Sequence, residues 1–315
     1  MRRYNLIDAN SLGHKYHQAG KLNAGQQQTQ AVFGTLLKAR DLIVEHPNQR
    51  TIFLWDGRSW RYDEFPDYKG NRVKTEKQKA ERAAYVSQAV LLRNILSTLG
   101  VSQITASNYE ADDLAGVLTG YYISRGDKVR LITTDEDWLQ LVQPGVIWED
   151  HRKLVRVRSA TFASYTGFET PEQFLENKAL KGDGSDKIGG VGGIGKGRSA
   201  ELIKIWGSVA SFLNDSTPAD TYQTETGNKI PKAFLDFHSS EERHAIFKRN
   251  MRLMNLMDAK ALPHPLDYNI SKEEANIPAF RRLCGELAFH SILNDLDNFV
   301  EPFVNQEERL DAIAG

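Results

Sequence analysis

A single cysteine, Cys284, stands among 315 residues. One thiol excludes a disulfide framework and a cysteine-based zinc site, and it fits a reducing compartment. No stretch approaches the ~18 consecutive apolar residues of a membrane-spanning helix, so no membrane association is expected. Charge of one sign is also lacking. The 40 Lys and Arg face 41 Asp and Glu, a formal net charge of −1, so global charge is silent about nucleic acid and only local patches can speak. The first residues enter a strand-like run with no secretory hydrophobic segment, which predicts a cytoplasmic location. His14 and His17 share helical spacing but have no acidic or cysteine partner in a zinc pattern. Internal repeats and low-complexity segments are absent.

What is present is a recurring aspartate. Tyr4-Asn5-Leu6-Ile7 is an apolar run that ends in Asp8; Thr51 to Trp55 is another, ending in Asp56; Val129 to Thr134 is a third, ending in Asp135. Continuous apolar runs predict strands buried on both faces. The helix predicted over 28–45 separates the first two, so strand, helix and strand follow with short joints, which predicts parallel pairing. Each strand then delivers an aspartate to its C-terminal end, the edge where open α/β sheets bind ligands. Further acids follow in Glu110-Ala111-Asp112-Asp113, in Asp135-Glu136-Asp137 and in Gly182-Asp183-Gly184-Ser185-Asp186. Carboxylates gathered in one place repel unless cations lie between them, and oxygen-only ligands suit magnesium or manganese. Acids in the first turn of a helix over 110–124 also suit the helix dipole, which is the structural alternative for Glu110, Asp112 and Asp113.

Two other stretches carry local chemistry. Residues 58–82 interleave Arg58, Arg61, Lys69, Arg72, Lys74, Lys77, Lys79 and Arg82 with Trp60, Tyr62, Phe65 and Tyr68. Cations for phosphates and rings for bases suit single-stranded nucleic acid; a solvated loop entering an amphipathic helix has the same composition. Residues 182–199 read GDGSDKIGGVGGIGKGRS. Gly190 to Lys196 matches a phosphate-loop spacing, but Gly197 stands where Ser or Thr should hold magnesium, and polar residues rather than a strand precede it. Helix, glycine-rich turn and helix is the better reading, with backbone amides of Gly192 to Gly195 free to approach a DNA phosphate and Lys196 and Arg198 adding charge. Further on, 215–232 reads as a polar linker, 241–257 as a helix and 272–296 as a last helix, with a loose tail after Pro302. Val146 to Trp148 and Leu154 to Val157 read as a peripheral hairpin.

In this order, Asp67-Tyr68-Lys69-Gly70-Asn71-Arg72, Glu110-Ala111-Asp112-Asp113, Thr134-Asp135-Glu136-Asp137-Trp138 and the glycine-rich turn resemble the 5′ nuclease family of flap endonucleases and 5′–3′ exonucleases. The length without a polymerase domain is most similar to the stand-alone phage enzymes. The resemblance covers residues 4 to about 215. It implies an α/β fold of PIN-like type: a mainly parallel twisted sheet flanked by helices, a helical arch over the site and a helix–three-turn–helix module. The implied division is a nuclease core over 1–181 that includes the arch at 57–90, the module over 182–214, and a mostly helical region over 215–315 packed on the core. Asp8, Asp56, Glu110 and Asp112 match one metal cluster; Asp135, Asp137, Asp183 and Asp186 match a second, with Asp113 beside them. Lys69 and Arg72 match the basic catalytic pair at the base of the arch. Tyr68 and Lys74 in the arch, and Gly193, Gly195, Lys196 and Arg198 in the turn, are expected at the DNA. Lys196 and Arg198 flank Gly197, and either can supply the phosphate contact.

The cofactors implied are two magnesium ions, with manganese as a substitute, and a potassium ion on the carbonyls of the glycine turn. The activity implied is metal-dependent hydrolysis of phosphodiester bonds at 5′ ends, nicks and flaps of duplex DNA, and of RNA primers on DNA, during phage replication or host DNA degradation. A monomer is expected. Two alternatives stand beside it: a catalytically silent junction-binding protein on the same fold, and a PIN-type ribonuclease.

Overall fold

The computed structural model describes residues 1–70, 75–258, 262–264, 267–271 and 273–314. Its frame is a seven-stranded sheet. In chain order the strands are β1 (Arg3–Asp8), β2 (Arg50–Trp55), β3 (Ser102–Ala106), β4 (Lys128–Ile132), β5 (Val146–Asp150), β6 (Val155–Val157) and β7 (Tyr268–Ser271). Across the sheet they run β7-β3-β2-β1-β4-β5-β6. The five central strands are parallel, and β6 and β7 close the two edges antiparallel to their neighbours. The mixed, mostly parallel sheet flanked by helices is the architecture the apolar runs and their spacing predict.

Register sets the site. Leu6 lies opposite Ile52 and Leu131, and Asp8 opposite Leu54. Asp8, Asp56 and Asp135 therefore leave the sheet at one edge, within a residue or a few of the last ladder bonds. Alternation along each strand feeds two cores. Leu6, Ile52, Leu54 and Leu131 meet Leu114, Trp138 and Leu175 from the helices on one face. Ile7, Phe53, Trp55 and Ile132 meet Leu36, Leu92, Ile95 and Phe280 on the other. Burial on both faces is why these strands lack a polar alternation. A third cluster, including Leu180, Val191, Ile194, Leu202, Phe212, Phe234 and Phe237, lies under the glycine-rich turn.

Several expectations are corrected. Val146–Asp150 and Val155–Val157 do form the expected hairpin at one edge of the sheet, but its first arm also pairs in parallel with β4 and so extends the main sheet. The stretch 215–232 contains the helix Pro218–Thr226, because Tyr222 packs into the third cluster. The last expected helix is broken into Ile277–Glu286 and His290–Asn294, where Ala288 takes a left-handed φ of 56°. The tail after Pro302 is helical over Leu296–Ala314, since Phe299, Val300 and Phe303 have a core to seal. The edge strand β7 has no clear signature in the sequence.

His151 ties β5 to the site edge. It is almost fully buried, and its Nε2 lies 3.2 Å from Ser11 Oγ, which accepts the Thr134 amide. Burial, followed by the positive charge of Lys15, lowers its pKa to about 4. A group that resists protonation in the fold but not in the unfolded chain leaves stability intact above its unfolded pKa and removes it progressively below. The predicted loss sets in below about pH 6.5 and is complete near the folded value. Asp8 and Asp135, whose pKa values are raised, act in the opposite direction, so the His151 contribution is read by difference. His151→Gln should flatten the pH dependence of unfolding free energy by on the order of 2 kcal/mol between about pH 7.5 and about pH 4.5. Parallel wild-type and variant curves would show that His151 takes up its proton normally.

Candidate metal centre

The carboxyl edge gathers its acids by capping. Asp8 ends β1 and caps the helix Ala9–Gln18, its Oδ1 accepting the Ser11 amide at 2.9 Å while Oδ2 accepts the Thr133 hydroxyl at 2.8 Å. Asp56 follows β2 and accepts the Ala111 amide at 2.9 Å and the Asn10 amide group at 2.8 Å. Glu110 is the N-cap of the helix Ala111–Ser124. Asp112, two residues on, accepts the Trp138 indole N–H at 2.7 Å. Asp135 caps the short 3-10 helix Glu136–Leu141 and accepts the Asp137 amide at 2.8 Å. Asp183 accepts from the Ser185 amide and hydroxyl at 2.8 and 2.6 Å. Asp8, Asp135 and Asp183 are thus fixed by local amides, because the termini of elements have donors to spare, whereas Asp56 and Asp112 are held by donors from other segments.

Repulsion is visible in the electrostatics. Burial, then the charge of Asp56, raises the pKa of Asp8 to about 6. Burial, then Asp137, raises that of Asp135 to about 7. Burial, Asp135 and Glu110 push Asp112 well above the usual carboxylate range. The opposite shift occurs where a lysine is present. For Glu110 the effect of burial is outweighed by Lys69 and Arg61, and the pKa falls. For Asp183 burial is outweighed by Ser185 and Lys178, and the pKa falls to about 2.

Two lysines therefore organise the acids. Lys69 Nζ is hydrogen-bonded to Glu110 Oε1 and lies over the Tyr68 ring at 4.7 Å. Its backbone is in the left-handed region, with φ 54°, and its amide is bound by the Asp186 carbonyl at 2.9 Å. Lys178, from the helix Pro171–Lys181, is hydrogen-bonded to Asp137 and stands 3.2 Å from Asp183. Beyond the effect of burial, Asp137 and Asp183 raise its pKa. Asp112, Asp137, Asp183 and Asp186 share a notch of about 20 Å³ with Arg61 and Tyr68, room for roughly one water or small ion. Among the described residues no three acids or histidines stand close enough to hold a metal ion unaided. The donor set nevertheless fits a hard divalent cation: it is all oxygen, partly buried and self-repelling.

Not every expected residue belongs to this ring. Both oxygens of Asp113 are bound by Arg61, at 2.9 and 2.8 Å, and the side chain is buried. It faces away from the notch, as the ~100° step between consecutive helical residues requires, so its expected metal role is corrected to a buried ion pair. Tyr68 is also corrected. Its ring is 2% exposed and its hydroxyl donates to Glu110 at 2.9 Å, so no base can stack on it. Trp60 is buried too, whereas Tyr62 is 38% exposed. Arg72 and Lys74 lie outside the described residues.

At the glycine turn, Gly193 has φ 79°, and a Cβ there would lie 3.0 Å from Ala233. Gly195 caps the helix Lys196–Trp206. Arg198 donates to the Gly193 carbonyl at 2.9 Å, closing the turn, while the Lys196 side chain is exposed. Three residues were missed. Ser59 donates to Glu110 at 2.9 Å, Arg61 bridges Glu110, Asp113 and the Leu253 carbonyl, and Lys178 spans two acids. Lys178 left one clue: it lies on the stripe of Phe174, Leu175 and Ala179, where an unpaired lysine would be costly. Arg61 left none, since it is one of many cations in a polar stretch.

The family described as 5′-3′ exonuclease, N-terminal resolvase-like domain, matches residues 3–167. DNA polymerase I of Bacillus caldotenax is 32% identical over 217 residues, which cover 66% of this chain and 24% of that protein. The thermostable DNA polymerase I of Thermus filiformis is 26% identical over 308 residues, covering 93% and 33%. The chain thus spans a third or less of the length of these relatives. Among solved structures, the 5′-exonuclease of bacteriophage T5, solved with bound divalent metal ions (zinc), superposes with a TM-score of 0.66 at 22% identity, covering 96% of this chain and 99% of that one. Flap endonuclease-1 from Methanococcus jannaschii superposes at 0.56 and 16% identity, covering 97% and 92%. These likenesses carry the fold alone.

The Arg61 pair generates a stability test. Arg61→Met should destabilise the protein by about 3–5 kcal/mol, because Asp113 would remain buried and unpaired. Adding Asp113→Leu should recover most of that loss in denaturant unfolding. A single variant as stable as wild type would mean that Asp113 reaches solvent or another cation.

Proposed function

Because the chain belongs to the 5′–3′ exonuclease family, we propose that it hydrolyses phosphodiester bonds at 5′ ends, nicks and flaps of duplex DNA, and in RNA primers annealed to DNA, with divalent metal ions at the carboxyl edge. The observation that carries this reading is the ion-sized notch among Asp112, Asp137, Asp183 and Asp186, with Lys69 at Glu110 beside them. Asp8, Asp56, Glu110 and Asp112 would hold one ion, and Asp135, Asp137, Asp183 and Asp186 the other. When bound, two magnesium or manganese ions supply activation of the attacking water and neutralisation of charge on the phosphate.

The chain's own residues do the rest. Asp8 and Asp56 keep their carboxylates aimed by accepting backbone amides that cannot move without unwinding a helix. Lys69 and Lys178 hold the acids in place; with cations among the acids, their ammonium groups become available to a phosphate oxygen. Lys69 is the better placed of the two, because its strained backbone anchors it at the mouth of the arch. Arg72 would extend that positive charge. Tyr62 offers the exposed ring for a displaced strand, and Lys74 a phosphate contact. Duplex behind the cleavage point would rest on the turn, with the Gly193 and Gly195 backbone at the phosphate. Lys196 is the cation that reaches it, since Arg198 is committed to the Gly193 carbonyl. A potassium ion on the turn carbonyls, if bound, would have to displace Arg198 or leave the Gly193 carbonyl to it. Replication or degradation of DNA during phage growth would use such an activity.

A duplex with a 5′ flap, labelled at its 5′ end, tests the proposal. Short labelled products are expected with magnesium and none with EDTA. Asp56→Ala and Asp135→Ala should each lower the cleavage rate by about a thousandfold or more, on the order of 4 kcal/mol of barrier, while sparing most of the DNA affinity. Cleavage at near wild-type rate by either variant would remove the metal assignment, and tight binding without any cut would favour the silent junction-binding reading. Preferential cutting of RNA would favour the ribonuclease. Lys69→Ala should cost rate by about a hundredfold with little change in affinity; equal losses in both would make it a binding residue.

A further inference from the structure

The long helix Glu76–Thr98 begins in solvent. Residues 76–83 are exposed, and Tyr85 is its first buried residue. Tyr85 lands on the helix Ala9–Gln18, the helix that Asp8 caps. Its ring stacks on His14, with centroids 3.6 Å apart. Gly13 leaves room for it: a Cβ there would lie 2.6 Å from the Tyr85 hydroxyl oxygen. Glycine inside a helix is unfavourable by itself, so its place here suits the tyrosine. One turn further along, Gln88 is buried, accepts the Ala31 amide at 2.8 Å and sets its Nε2 3.0 Å from His17 Nδ1. The Tyr85 hydroxyl is therefore held in one place.

That place is one residue away from a carboxylate of the acidic edge. Tyr85 donates to Asn10 Oδ1 at 3.0 Å, with the Asn10 carbonyl at 3.3 Å, and Asn10 Nδ2 donates to Asp56 Oδ2 at 2.8 Å. Asp56 Oδ1 accepts the Ala111 amide at 2.9 Å. These two donors, one on each oxygen, fix the rotation of the carboxylate and leave each oxygen a lone pair for a cation. An ionised carboxylate only accepts, so the Asn10 amide must turn its NH2 to Asp56 and its oxygen to Tyr85. Reversed, the amide would set oxygen against oxygen. Burial, then the charges of Asp8 and Asp56, raises the Tyr85 pKa, so the hydroxyl keeps the proton it donates.

We infer that Tyr85 and Asn10 are positioning residues for Asp56: the tyrosine hydroxyl fixes the sense of the asparagine amide, and the amide fixes the carboxylate. The inference rests on the proposed role of Asp56 as a metal ligand. The charge of Asp8 acts on Asp56, so without the amide the carboxylate would keep one tether and be turned away by repulsion. The relay also joins two parts of the chain that the sequence sets far apart. The foot of the exposed stretch 76–83 reaches the metal edge through two hydrogen bonds. Both residues act through Asp56 and neither is catalytic itself.

The test takes the full chain, stripped with EDTA and dialysed. Manganese is titrated calorimetrically without DNA, cleavage of a 5′ flap is followed over a range of magnesium concentrations, and flap affinity is measured in EDTA. Tyr85→Phe keeps the ring and removes the hydroxyl. It should weaken one manganese ion, and raise the magnesium needed for half-maximal cleavage, by about fivefold, with the rate restored at high magnesium and flap affinity unchanged. Asn10→Ala should do the same by about tenfold or more. The double variant should be no worse than Asn10→Ala alone, since the hydroxyl then has no amide to hold. Wild-type metal affinity in either single variant, or losses that simply add, would overturn the relay. Lost thermal stability with metal affinity intact would make Tyr85 a packing residue and overturn it too. Wild-type protein that took up no manganese would overturn the metal reading and this inference with it, an outcome told apart because it precedes any substitution.

Discussion

The repulsion among carboxylates at the carboxyl edge is the constraint on which the rest of this structure depends. Parallel strands in register and helices capped by acids bring Asp8, Asp56, Asp112, Asp135, Asp137 and Asp183 to one edge. Such a gathering is unfavourable by itself, as the raised pKa values of Asp8, Asp112 and Asp135 show. The chain offsets the cost with cations of its own. Lys69 serves Glu110, Lys178 serves Asp137 and Asp183, and Arg61 serves Asp113. Glu110 and Asp183 accordingly have lowered pKa values where their neighbours have raised ones. The site is thus built as alternating sign, with a narrow notch left among four of the acids.

This arrangement couples distant segments. Arg61 donates to the Leu253 carbonyl at 2.6 Å, which links the short helix Arg61–Glu64 to the end of the helix Glu241–Met254. Arg252 of that helix pairs with Glu64. Asn250 donates to the Ala179 and Gly189 carbonyls and so holds the glycine turn against the helix that bears Lys178. The acidic edge, the segment around Arg61 and the glycine turn are joined by polar contacts, buried at Arg61 and Asn250 and exposed at Arg252, rather than by apolar packing alone. In a low-dielectric setting each such contact is costly to leave unpaired, which gives this edge one defined geometry.

The parts legible in the sequence are those set by local pattern. A continuous apolar run with an aspartate at its end specifies both a buried strand and the edge to which its acid goes. The run Tyr4 to Asp8 and the run Thr51 to Asp56 therefore carried two central parallel strands and two of the acids at the carboxyl edge. The parts that escaped depend on contacts between distant residues. Nothing near Arg61 distinguishes it from Arg58, yet one is buried against two acids and the other is paired at the surface with Asp63. Tyr68 reads as an exposed ring in a polar segment, but its hydroxyl belongs to Glu110, 42 residues on. The break at Ala288 and the helix through Pro302 follow from packing against the second core, which overrides local signals. Asp112 and Asp113 show both sides of the matter: their divergence was readable from helical geometry, but which of them would find an arginine was not.

Metal binding itself tests the central claim most directly. Manganese titrated calorimetrically into EDTA-stripped and dialysed protein, without DNA, should reveal two ions per chain. Asp112→Asn or Asp183→Asn should each remove or weaken one of them, with the fold unchanged by circular dichroism. A chain that takes up no manganese at millimolar concentration, or takes it up equally well without these carboxylates, would show that the acids are balanced by their own lysines alone and would contradict the account.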